Sequence, residues 1–180
     1  MKLLERVNIK KIFGKKRLDV LGPSDYKPLF KIASKPTIPP LPNIEDNKTL
    51  NVRYPLIPPY AYVHIYWQSS QKEVVYEIEE PILTEEENKI LHFIEEGIRE
   101  LVNISFIGVR SKDDIVIYLE KNISILLGEL GVEIAKDSFL KIMYYVYRDF
   151  VGLNEIEPFM SDYFVEDVEC NGINTPIYIV

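Results

Sequence analysis

The chain has 180 residues, enough for one full domain or two small ones, and 47% are hydrophobic, which permits a packed core and argues against a mostly disordered protein. Its net charge of −7 is uneven: residues 1–20 hold seven basic side chains against Glu5 and Asp19, giving a head of +5 and a remainder of −12 whose acidity opposes nucleic-acid binding. No run approaches the roughly 18 apolar residues of a membrane span, and the lone Cys170 cannot form an internal disulfide and fits a reducing compartment, the cytoplasm.

The basic head, residues 1–22, carries Lys2, Arg6, Lys10, Lys11, Lys15, Lys16 and Arg17. Such a head docks on anionic lipid, on nucleic acid or on an acidic partner face; the plain alternative is a solvated tail. Lysines interrupt Val7 to Leu21 too often for a signal-peptide core. Nine of the twelve prolines then fall between Pro23 and Pro59. Proline fixes φ and removes an amide donor. Residues 23–59 therefore read as an extended arm or linker with little regular structure, either hugging a surface or serving as a proline-rich ligand.

From Ala61 the pattern alternates, with Val63, Ile65 and Trp67 on one side and Tyr62, His64 and Tyr66 on the other. Ser69 to Lys72 is a polar turn and Val74 to Ile78 a return strand, so this segment is a hairpin. Thr84 and Glu87 form a capping box ahead of a helix from about Glu85 to Val102, in which Ile90, Leu91, Phe93, Ile94, Ile98, Leu101 and Val102 recur at helical spacing. Ser111 with Asp114 opens a second helix that Gly131 closes. Asp137 or Ser138 caps a third, with Phe139, Ile142, Met143, Val146 and Phe150 on its apolar face. Three antiparallel helices with short loops imply a small bundle.

Catalytic motifs are absent. There is no GxxxxGK followed by Ser or Thr, so no phosphate-cradling loop of that type exists in these residues. His64 and His92 lie in unrelated contexts without a cysteine nearby and read as ordinary strand and helix-face residues. Glu85 to Glu87 and Asp113 with Asp114 sit at helix starts, where capping and the dipole account for them. Glu166 and Asp167, as neighbours on an acidic strand, face opposite sides, which makes a joint acid–base role awkward.

The run from Tyr144 through Val180 resembles the region ahead of the motor core in archaeal ATPases of the type II/type IV secretion superfamily, which includes type IV pilus and archaellum motors. The matching positions are Arg148 and Asp149, Gly152, the turn of Ile156 to Met160 with Pro158, Asp162, the strand of Val165 to Val168 with Glu166 and Asp167, Gly172, and Pro176 to Val180. A looser likeness to the family's amino-terminal domain runs upstream from about Leu50, through a tyrosine-rich hairpin, an acidic proline turn and helices.

The resemblance implies an α+β fold: an N-terminal β-hairpin with a three-helix bundle, followed by the start of a PAS-like α/β domain. The expected divisions are a head at 1–22, an arm at 23–59, the hairpin and helical domain at 60–135, and the beginning of a second domain at 136–180. The final strand lacks a following turn, cap or polar tail, and is expected to pair with sequence beyond Val180. The chain then reads as the front of a longer motor or as a truncated paralogue. ATP and Mg belong to the full-length family, and no cofactor-binding or catalytic residue carries over to these positions. The implied role is adaptor and regulator, cytoplasmic and peripheral to the membrane. Its partners would be a membrane platform protein, its own or a paralogous motor core, and an anionic membrane surface met by the seven basic head residues. Abundant Glu, Lys and Ile against two Gln resembles thermophile usage.

Overall fold

The computed structural model describes residues 27–33, 40, 43, 46–105, 111–173, 175 and 177–180, and for 100–105 the backbone alone. The basic head and Pro176 lie outside the described residues. The fold is α+β, with a three-stranded antiparallel sheet, a separate strand pair and four helices among the described residues. The described residues divide into two compact units, those of 27–31 with 82–152 and those within 32–81 with 153–180. In this grouping the third long helix joins the other two, while the sheet joins the carboxy-terminal segment.

The helical unit holds α1 (Glu85–Ser105), α2 (Lys112–Glu129) and α3 (Lys136–Phe150). Thr84 and Glu87 make the expected reciprocal cap: the Thr84 N–H donates to Glu87 Oε2 at 2.7 Å and the Glu87 N–H to Thr84 Oγ1 at 3.2 Å. Ser111 Oγ accepts from the Asp114 N–H at 3.1 Å and starts α2. Gly131, at φ +65°, ends it; the Gly131 N–H reaches the Gly128 carbonyl and the Val132 N–H the Leu127 carbonyl, the paired bonds of a Schellman termination. The start of α3 differs from expectation. Its N-cap is Ala135, whose side chain has no acceptor, and Asp137 and Ser138 lie inside the first turn; the Ser138 hydroxyl serves Glu87 of α1. Leu91, Ile94 and Ile98 of α1, Leu119, Ile123 and Leu126 of α2, and Phe139, Ile142 and Met143 of α3 supply the buried core. Each such side chain contributes roughly 1.5–3 kcal/mol.

The sheet unit holds β1 (Asn51–Ile57), β2 (Ala61–Gln68) and β3 (Glu73–Glu79), in that order and all antiparallel. The β2–β3 hairpin lies where alternation placed it, and Lys72 adopts φ +57° in its turn. Strand β1 corrects the reading of residues 23–59 as lacking regular structure. Pro55 lies in it, opposite Tyr62, and a break in register follows between Pro55 and Ile57. A proline is tolerated there because β1 is an edge strand, where the missing N–H costs no ladder bond. Registers place Val52, Tyr54 and Leu56 on one face with Val63, Ile65, Tyr76 and Ile78. Beyond Gly152, a 3₁₀ turn at Asn154–Ile156 leads into the short α4 (Glu157–Met160), and the strand pair β4 (Val168–Cys170) and β5 (Ile177–Ile179) follows.

Candidate interaction site

The inner face of the sheet explains Asp162. Tyr54 on β1 and Tyr76 on β3 share that face across β2, and both hydroxyls donate to Asp162 Oδ2, at 2.8 and 2.5 Å. The other carboxylate oxygen accepts from the Phe164 N–H at 2.9 Å. Asp162 is only 6% exposed, so this satisfaction matters: a buried carboxylate without donors is strongly destabilising. Aromatic rings close the node. Phe159 stacks on Tyr76 with centroids 5.7 Å apart, and Phe164 meets Tyr54 edge-on at 5.6 Å. Burial first, then the bond to Asp162 and its charge, pushes both tyrosine hydroxyls well above their ordinary range. They remain proton donors under ordinary conditions, and with Asp162 they form a polar lock.

The other motif positions are also accounted for locally. Arg148 and Asp149 form a two-pronged pair, Nε to Oδ1 at 2.7 Å and Nη2 to Oδ2 at 3.3 Å, and the guanidinium lies 4.7 Å above the Tyr145 ring. An acid at a helix carboxy-terminus opposes the dipole, and the adjacent arginine offsets it. Gly152 sits where its N–H closes α3 onto the Tyr147 carbonyl. Pro158 is buried near the start of α4, where proline is tolerated.

Glu166 and Asp167 are exposed and precede β4, a correction to the strand expected at Val165 to Val168. Both their N–H groups converge on the Val180 carbonyl, at 2.7 and 3.1 Å, an irregular pairing that postpones the ladder to Val168. Gly172 turns the chain at φ +126°, a value open to glycine. β5 pairs antiparallel with β4, Val168 opposite Ile179 and Cys170 opposite Ile177. The expectation of pairing beyond Val180 rested on this strand, which has β4 on one side. Its side chains remain in solvent: Ile177, Tyr178, Ile179 and Val180 are all exposed, as is Ile173 in the turn at 93%. β4 itself is mixed, with Glu169 exposed between Val168 and Cys170.

His64 Nε2 lies 2.8 Å from Asn51 Oδ1 and its ring packs on Tyr66, while His92 faces Glu95 and Glu96 in solvent. Among the described residues no group of three or more His, Cys, Asp or Glu side chains could hold a metal ion. No helix among them is long and apolar enough to cross a membrane. Sequence reasoning missed Tyr54 and Tyr76; the alternation of Val52, Tyr54 and Leu56 was the available signal for the strand that carries one of them.

These features define an α+β chain whose motif-bearing segment is anchored through a buried carboxylate and ends in an exposed strand pair whose second strand is apolar. No family model matches the chain. It is similar to the uncharacterized protein MJ1288 of Methanocaldococcus jannaschii, 25% identical over 181 residues covering 95% of this chain and 71% of that protein.

Proposed function

We propose that the chain is the amino-terminal adaptor and regulatory region of a secretion, pilus or archaellum assembly ATPase, its helices the three-helix bundle and its final segment the start of the PAS-like domain. In this role it contacts a membrane platform protein or neighbouring motor subunits from the cytoplasmic side, and the ATPase core is supplied by other sequence. The supporting observation is the Asp162 lock. The two stretches that carry the resemblance, the tyrosine-rich strands and the segment after Gly152, fold into one unit, and the motif aspartate accepts hydroxyls from both outer strands. The exposed Ile177, Tyr178 and Ile179 of β5 offer apolar contacts of the kind an adaptor uses, and the head adds cationic residues, each worth up to about 1 kcal/mol at an anionic surface.

The reading predicts that the purified chain does not bind Mg-ATP in calorimetry and changes the hydrolysis rate of a full-length motor of this family when added to it. An unchanged rate at saturating chain, or tight ATP binding by the chain itself, contradicts it. In liposome flotation, binding should need anionic lipid and fall at high salt; binding indifferent to both removes the membrane role of the head.

A second reading has its own support. Less than a third of MJ1288 lies outside the match, a short stretch for a RecA-like core. In this second proposed reading the chain is an interaction module that caps or regulates a separate motor. Co-purification as a separate polypeptide with a full-length motor distinguishes it from a front portion fused to its own core.

A further inference from the structure

Between β4 and β5 the chain places Asn171 directly before Gly172, the one Asn-Gly step in the sequence. Both residues are exposed. Gly172 sits at φ +126°, and nothing lies within 4 Å of a Cβ built on it, so the space beside its main chain is open. Among the described residues no group bonds to the Asn171 side chain or to the Gly172 N–H; the Gly172 carbonyl accepts from Thr175 Oγ1 at 2.8 Å. The side-chain amide carbon and the next main-chain nitrogen are therefore free to meet. Glycine, lacking Cβ, neither shields that nitrogen nor restricts the rotation that brings it to the amide.

Other asparagines are held in place. Asn122 is 6% exposed and its amide donates to the Tyr118 carbonyl at 2.7 Å, Asn88 donates to the Thr84 carbonyl at 3.1 Å, and Asn51 Oδ1 lies 2.8 Å from His64 Nε2. Each precedes a larger residue, Ile123, Lys89 or Val52, whose side chain crowds the attacking nitrogen.

We propose that Asn171–Gly172 is a site of spontaneous main-chain modification, closing to a succinimide and opening to isoaspartate. The Gly172 nitrogen gives its proton to hydroxide and attacks Cγ of Asn171. A bond forms between that nitrogen and Cγ, the Cγ–Nδ2 bond breaks, and Nδ2 takes a proton from water and leaves as ammonia. Water then opens the ring at either carbonyl. Attack at Cγ yields ordinary aspartate; attack at the main-chain carbonyl leaves the chain running through Cγ, as isoaspartate. The latter adds a methylene to the main chain and a carboxylate two residues after Glu169, within the connection that sets Cys170 opposite Ile177. The proposal is independent of the secretion-motor reading.

Incubation of the full chain under native conditions, beside a synthetic peptide of residues 166–173, tests it. Peptide mapping should find the amide-to-acid mass gain at position 171 ahead of every other asparagine, faster as pH rises. Isoaspartate, read by methylation with an L-isoaspartyl methyltransferase, should be the larger product. The folded chain should convert within about ten-fold of the peptide's rate, as the open connection permits attack. Hydroxylamine, which opens a succinimide, should release residues 172–180. Asn171→Gln should lose all of these signals. Conversion of the folded chain much more than about ten-fold slower than the peptide, or acid at position 171 without isoaspartate, overturns the proposal.

Discussion

Tyr54 and Tyr76, on the two outer strands of one sheet, aim their hydroxyls at a single oxygen, Oδ2 of Asp162. The tie spans 108 residues for Tyr54 and 86 for Tyr76, and it holds the segment after Gly152 against the sheet. Breaking either end should be felt in the stability of the sheet unit. Tyr54→Phe and Tyr76→Phe are each expected to cost about 1.5–3 kcal/mol in denaturant unfolding, the range for hydrogen bonds to a charged group. Asp162→Ala should cost more than either, because it leaves two hydroxyls without their acceptor. In the Asp162→Ala background both Tyr→Phe changes should become nearly silent, the mark of one shared interaction.

The same lock predicts alkaline behaviour. Burial, the bond to Asp162 and its charge raise both tyrosines above the ordinary value of 10.0, with Tyr54 adding to the effect on Tyr76. A raised native pKa means that the lock's contribution is complete below pH 10 and lost as pH climbs above it. Absorbance at 295 nm should therefore leave at least two of the twelve tyrosines un-ionised until the protein unfolds. The double variant Tyr54→Phe with Tyr76→Phe should lack that late step; an unchanged late step in the double variant contradicts the assignment.

In the helical unit, Glu87 works in the opposite pH direction. The Thr84 amide foremost, then the Ser138 hydroxyl and the Lys141 ammonium, whose Nζ lies 3.5 Å from Oε1, hold its carboxyl below the ordinary 4.5. A lowered native pKa contributes stability that is present above pH 4.5 and lost as pH falls through the native value. Glu87→Gln keeps an acceptor for the Thr84 amide but removes the charge that Lys141 and the helix dipole favour, and should cost about 0.5–1 kcal/mol near neutrality. The gap between wild type and variant should close below pH 4, measured by urea unfolding across pH.

Gly131→Ala isolates a backbone effect. Nothing lies within 4 Å of a Cβ built at this glycine, yet its φ is +65°. The expected loss is about 1 kcal/mol, from the left-handed conformation alone. Thermal unfolding of Gly131→Ala and Gly131→Asn would check it, since asparagine tolerates that conformation better.

What could be read from the sequence was local. The Thr84–Glu87 box, the Ser111 cap and the Gly131 stop each depend on residues within a few positions, and the β2–β3 hairpin on period-two alternation. β1 escaped notice because proline content spoke against a strand, while the edge position that makes Pro55 harmless exists only in three dimensions. Ser138 likewise looked like a cap, but it lies inside the first turn of α3 and serves Glu87 of α1. The Asp162 lock joins residues too distant for any spacing rule, although an aspartate between Phe159 and Phe164 hinted at a buried acid. Glu120, charged amid Leu119, Asn122 and Ile123, was a similar unread hint.

The most direct measurement of the adaptor assignment is affinity purification of the tagged full chain from its native cells, with stoichiometric identification of what accompanies it. The assignment predicts a RecA-like secretion motor bearing a Walker A loop, together with its polytopic platform protein, both diminished when Ile177 and Ile179 on the exposed strand pair are changed to serine. Recovery of the chain alone, or with companions that include neither motor nor platform, would contradict it.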